Sequence, residues 1–143
     1  MGLVGFEKRW LLEIFAVILP AKAHPTLSTG AADLPLGAFI DDFFRTAPLE
    51  TRLGVRAALW VVVLSPLLFG RAKTLLSLPP EEAAEVLRRL SGSRIYVLRE
   101  LPMLIKMVAC FGYAAFPEVR AEAGLPYRET QPPEWINVDP GNR

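Results

Sequence analysis

Proline fixes φ and removes the N–H that a helix interior needs. Thirteen prolines in 143 residues therefore decide where regular structure can start and stop in this chain. Their positions leave a series of helix-length segments. Pro20 closes a first segment in which Phe6, Trp10, Leu11, Ile14, Phe15 and Ile18 recur at helical spacing, with Glu7, Lys8, Arg9 and Glu13 on the remaining arc. Ala21 to Pro35 reads as a loop, and Pro35 sits in the first turn of a second helix with Asp33 near its cap. That helix carries Phe39, Ile40, Phe43 and Phe44 inward, sends Asp41, Asp42 and Arg45 to solvent, and ends near Ala47.

Pro48 opens a third, longer helix through Leu49, Leu53, Ala57, Trp60, Val61 and Leu64, with Arg52 and Arg56 one turn apart on its early portion. Pro66 is expected to kink or end it, and Gly70 to close the segment. Pro79-Pro80-Glu81-Glu82 is a helix start, because proline suits the first turn and two acids suit the positive end of the dipole. The fourth helix runs through Ala83, Val86, Leu87 and Leu90 to Ser91-Gly92-Ser93. Ser93 caps a fifth helix from Arg94 toward Phe116, with a kink expected around Pro102. Pro117 allows a last short turn ended by Gly124.

No segment alternates with period two between turn residues, which argues against a sheet. The reading is an all-α fold: an irregular bundle of about five main helices over residues 1–126, followed by an extended C-terminal arm at 127–143. Fourteen uncharged residues, Ala57 to Gly70, span only about 21 Å of helix against a hydrocarbon core of about 30 Å. Interrupted by Pro66, this run reads as a buried core helix. Glu13 and the helical periodicity likewise make the first apolar stretch a retained helix in place of a cleaved signal, despite the small-x-small triplet Ala21-Lys22-Ala23.

Charge and rare residues narrow the chemistry. Sixteen basic and fifteen acidic side chains leave a formal charge of +1, without the basic excess that nucleic-acid binding requires. The single cysteine, Cys110, and single histidine, His24, preclude an internal disulfide and leave too few Cys/His ligands for a zinc-type site. Cys110 lies among Val108, Ala109 and Phe111 and reads as a small core residue, whereas a nucleophilic thiolate wants an electropositive, partly exposed setting. His24 reads as an exposed loop side chain. Asp41-Asp42 and Glu81-Glu82 are adjacent pairs that point about 100° apart on a helix, so neither converges as an acid/base dyad. Catalytic, cofactor-binding and metal-binding residues are accordingly assigned to none.

Two features read as partner contacts. Arg88, Arg89, Arg94 and Arg99 cluster around the turn between the fourth and fifth helices, either as a docking patch for an acidic surface or as a solvated turn balanced by Glu85 and Glu100. The arm carries Tyr127, Trp135 and Ile136 as anchors among polar residues and prolines, suited either to a partner surface or to folding back on its own helices. Tyr127, Trp135, Ile136, Arg94 and Arg99 are therefore the candidate partner-binding residues.

The order of these segments resembles a known family. The helix ending Leu19-Pro20 is followed by Phe39-Ile40-Asp41, a long Leu/Val helix ending Phe69-Gly70, and Leu78-Pro79-Pro80-Glu81-Glu82. The last elements are a Ser/Arg-led helix and Phe116-Pro117-Glu118-Val119, closing at Gly124. Over roughly Phe6 to Pro126 the pattern resembles the gluconate 2-dehydrogenase subunit 3 family, small helical subunits that accompany flavin-dependent oxidoreductases of the glucose-methanol-choline type. The resemblance implies a non-catalytic subunit that stabilises or escorts a large FAD-bearing dehydrogenase subunit, with FAD in the partner and no cofactor in this chain. A cytochrome subunit can be a further partner. Such subunits often carry a twin-arginine export signal; here Lys8-Arg9 stands in its place, so a cytoplasmic or membrane-peripheral location is expected, with export alongside the partner as the alternative. The 52% hydrophobic content fits a chain that leaves apolar surface for an interface. The alternatives are a peripheral membrane-anchoring helical protein and a small apolar-ligand carrier.

Overall fold

A computed structural model describes residues Gly2 to Gly124. Among them the chain forms α1 (Gly5–Ile18), α2 (Leu36–Thr46), α3 (Leu49–Leu68), α4 (Pro80–Ser91), α5 (Tyr96–Ala114) and the short α6 (Pro117–Glu122). Single 3-10 turns occupy Ala31–Asp33 and Leu75–Ser77, and no strand is present among the described residues. The bundle is the irregular all-α fold expected from the proline spacing. The arm residues Tyr127, Trp135 and Ile136 lie outside the described residues.

Helix α5 packs against each of the other five helices, most extensively against α3 and α4. Its buried residues Ile105, Val108 and Ala109 meet Leu11, Ile14 and Phe15 of α1, Ile40 and Phe44 of α2, Val55, Leu59 and Val62 of α3, and Val86 and Leu90 of α4 in one continuous core. Gly112 lets α2 approach closely: a Cβ there would lie 2.5 Å from Cδ1 of Phe39 and 3.1 Å from Cδ2 of Leu36.

The helix ends follow local chemistry, with small shifts from expectation. Pro35 and Pro48 stand one residue before their helices, as N-caps. Helix α3 closes in a Schellman motif: Gly70 adopts φ +74, its N–H donates to the Leu67 carbonyl, and the Arg71 N–H donates to Pro66. Pro66 does not end α3. It removes the N–H that would reach the Val62 carbonyl, and the buried Ser65 hydroxyl donates to that carbonyl instead, at 2.8 Å. The fifth helix begins two residues later than Arg94 and is unbroken through Pro102, ending at Ala114. Ser93 still serves its entry: the Ser93 hydroxyl accepts the Ile95 N–H at 3.2 Å.

Two expectations are corrected. Glu7, expected on the polar arc of α1, is buried, because it shares the arc of Leu11 and Ile14 at i+4 and i+7. Cys110, expected in the core, is half-buried at the core's edge, next to the exposed Phe111.

Candidate docking faces

Helix α3 is apolar on nearly all sides, and the bundle can cover only part of it. Val55, Ala58, Leu59, Val62 and Val63 face inward. On the opposite side Leu53, Ala57, Trp60, Leu64 and Leu67 follow one another at spacings of 4, 3, 4 and 3 residues, all exposed. Leu49 and Leu68 extend this stripe at either end, and Leu68 is 63% exposed. Expected from the sequence to be a buried core helix, this run is buried on one side only, and the opposite stripe stays exposed because the bundle packs against a single face of α3.

Its centre is fixed by the buried carboxylate of Glu7. Oε1 accepts Nε–H of Arg56 at 2.8 Å and Nε1–H of Trp60 at 2.9 Å, while Oε2 accepts the Val4 backbone N–H at 3.0 Å. Burial alone pushes the Glu7 pKa up; the hydrogen bonds from Val4, Trp60 and Arg56, with the Arg56 charge, outweigh it and hold the carboxyl below its ordinary range. Around Trp60 the rings of Phe6 and Trp10 stack edge-to-face, with centroids 6.1 Å and 5.2 Å away, so the indole is held by packing and by a hydrogen bond.

A second face lies along α5. Tyr96, Val97, Met103, Met107 and Phe111 are exposed. A groove of about 300 Å³ runs among Tyr96, Glu100, Leu101, Met103, Leu104 and Met107. Its surroundings are basic. The Arg99 guanidinium lies 5.3 Å from the centre of the Tyr96 ring and approaches Glu100 at 3.5 Å, and Lys106 and Arg94 are exposed with no ion pair among the described residues. Arg88 pairs with Glu85, and Arg89 covers the Phe69 ring at 5.0 Å. Of the four clustered arginines, Arg88, Arg89 and Arg99 are each engaged within their own fold, Arg99 on Tyr96 and Glu100 of the open groove, and Arg94 is exposed with no ion pair among the described residues.

The remaining polar sites are internal ties. Glu122 on α6 accepts four hydrogen bonds from the backbone N–H and hydroxyl groups of Ser28 and Thr29, at 2.7 to 3.1 Å. These bonds pull its pKa down to about 2. The Tyr113 hydroxyl donates to the Thr29 carbonyl at 2.5 Å, its pKa raised by burial and by the negative charges of Glu122 and Asp33. His24 is exposed, and its Nδ1 accepts the Thr26 backbone N–H at 3.3 Å and lies 2.8 Å from Thr26 Oγ1. A further groove of about 530 Å³ opens between α1, α4 and α5, floored by Val17, Leu87 and Pro102 with Arg88 and Lys106 at its lining.

Arg94 and Arg99, read from the sequence as partner-binding candidates, lie around the start of α5 beside the exposed Tyr96 and Val97, and sequence reasoning did not assemble the Glu7–Arg56–Trp60 cluster. The usable signal was the one-turn spacing of Arg56 and Trp60 together with an acid on the apolar arc of α1. Comparison with protein-family models, curated proteins and solved structures finds no match for this chain.

Proposed function

We propose that this chain is a non-catalytic small subunit that docks on, and stabilises or escorts, a larger FAD-dependent oxidoreductase subunit. The observation that carries the docking element is the α5 face. Methionine and aromatic side chains lie open along a helix whose inner side already completes the core, and Arg94, Arg99 and Lys106 border them. Flexible thioethers beside rigid aromatics suit a protein contact, because an unbranched, polarizable side chain adapts its shape to a partner surface. The cationic border selects a partner surface that is apolar at its centre and acidic at its margin. The flavin-dependent class of the partner rests on the order of helices and prolines that resembles the gluconate 2-dehydrogenase subunit 3 family. In this reading the partner holds the FAD, and a cytochrome subunit is a further neighbour in the complex.

The test is affinity purification of the tagged chain from its native cells, followed by a visible spectrum and mass analysis of the eluate. The reading predicts a yellow complex with flavin absorption and a second, larger chain. A colourless, monodisperse chain recovered alone contradicts it.

A further inference from the structure

We infer that the outer stripe of α3 is a self-association seam, on which a second copy of this chain packs antiparallel about Trp60. The inference goes beyond the subunit reading and does not depend on it, since it concerns a different face.

Spacing identifies the kind of occupant. Leu53, Ala57, Trp60, Leu64 and Leu67 repeat at 4-3-4-3, the alternation that places side chains into the gaps of a facing helix. The stripe is also nearly symmetric about its middle. When two such helices cross antiparallel at Trp60, Leu53 stands level with Leu67 of the second copy. Ala57 falls within one residue, about 1.5 Å of rise, of Leu64 of the second copy. The small side chain then lies opposite the large one twice over, as a two-fold interface requires. Trp60 sits on the axis, already oriented by Glu7, Phe6 and Trp10.

Charge sets the direction. Glu50 is exposed in the first turn of α3, while Lys73 is exposed just beyond its last turn, next to Arg71, which is paired with Glu82 at 2.7 Å. Antiparallel packing brings each Glu50 toward the basic end of the other copy and sets the two helix dipoles in opposition, each positive end beside the other's negative end. Parallel packing would set Glu50 against Glu50. A lipid surface is the competing cover, because α3 is long and apolar enough to cross a membrane by composition, with 39% of its most apolar stretch buried in the bundle. Interfacial helices, however, are rich in Lys and Arg on their polar face. Along this stripe Arg56 is neutralised by Glu7, Arg52 turns to the Phe44 carbonyl, and Glu50 is acidic.

Sedimentation velocity on the full 143-residue chain over a concentration series tests the proposal. The expected result is a mass that rises from one chain to two with concentration, and that stays at one chain for Leu64→Glu, an exposed position whose change leaves the fold intact. A monomer at every concentration overturns the proposal. So does a monomer that sediments with vesicles of anionic and zwitterionic phospholipid. Cross-linking fixes the geometry. In a Cys110→Ser background, Trp60→Cys is expected to oxidise to a covalent dimer. Leu53→Cys is not, because the two copies of position 53 lie about 21 Å apart along the axis. Equal cross-linking at 53 and 60 overturns the antiparallel register, and the Leu53→Cys result stands even if loss of the indole weakens the Trp60→Cys fold.

Discussion

Trp60 donates its indole N–H to the buried carboxylate of Glu7 across 2.9 Å, so a side chain from the first turn of α1 orients the ring at the middle of the open face of α3. Arg56, one turn earlier on α3, neutralises the same oxygen at 2.8 Å. One carboxylate thereby joins two helices far apart in sequence and presets the surface they share.

Replacing Glu7 with alanine leaves the Arg56 guanidinium, the Trp60 N–H and the Val4 N–H without their acceptor. Removing one partner of a buried pair costs about 3–5 kcal/mol, and the partial exposure of Arg56 puts the expected loss near the lower end, about 3 kcal/mol. Urea titration checks it, and the Trp60 emission should shift to the red as the ring is released. A midpoint unchanged from the parent chain would show that the cluster adds nothing to stability.

Acid should destabilise the fold through its two depressed carboxylates. A carboxyl whose folded pKa lies below its unfolded value stabilises the native state above the unfolded pKa, and that contribution is lost as pH falls through the folded pKa. For Glu122 the window runs from 4.5 down to about 2. Denaturant midpoints measured across it should fall more steeply for the parent chain than for Glu122→Gln. Equal slopes would mean that the four bonds from Ser28 and Thr29 do not persist in solution.

Ser65 carries a separate expectation. Its hydroxyl satisfies the Val62 carbonyl that Pro66 leaves free, so Ser65→Ala buries an unpaired acceptor at a cost of about 1–3 kcal/mol. Restoring the backbone donor with Pro66→Ala in the same chain should recover part of that loss. A double mutant cycle by thermal melting reads the coupling, and strict additivity would contradict it.

The legible part of the fold was its punctuation. Pro48, Pro80 and Pro117 mark helix starts because a missing N–H costs nothing in the first turn, and Gly70 and Gly124 mark ends because they take positive φ, +74 and +67. The face each helix buries was legible only where polar residues break the pattern. Ala83, Val86, Leu87 and Leu90, the apolar residues that trace α4 in the sequence, are buried, with charged residues on the other side. Helix α3 has no such contrast, so its apolar run reads from the sequence as a buried core helix although one side of it is exposed. Glu7 was misplaced for a related reason. A carboxylate on an apolar arc looks like solvent exposure until an arginine and an indole from another helix are known to meet it. Arg94 and Arg99 were legible as a basic turn, yet the methionine face beside them exists only because Pro102 lies within an unbroken α5 and Met103 and Met107 turn outward.

The central claim is that the α5 face holds a larger flavin-bearing partner, and the most direct measurement pairs the parent chain with Met107→Glu in identical purifications from native cells. Met107 is exposed, so circular dichroism and melting temperature should match the parent. The account predicts flavin absorption and the larger chain with the parent, and loss of at least tenfold of both with the variant, equivalent to about 1.4 kcal/mol. Equal recovery of the partner by both chains, or no flavin with either, would contradict it.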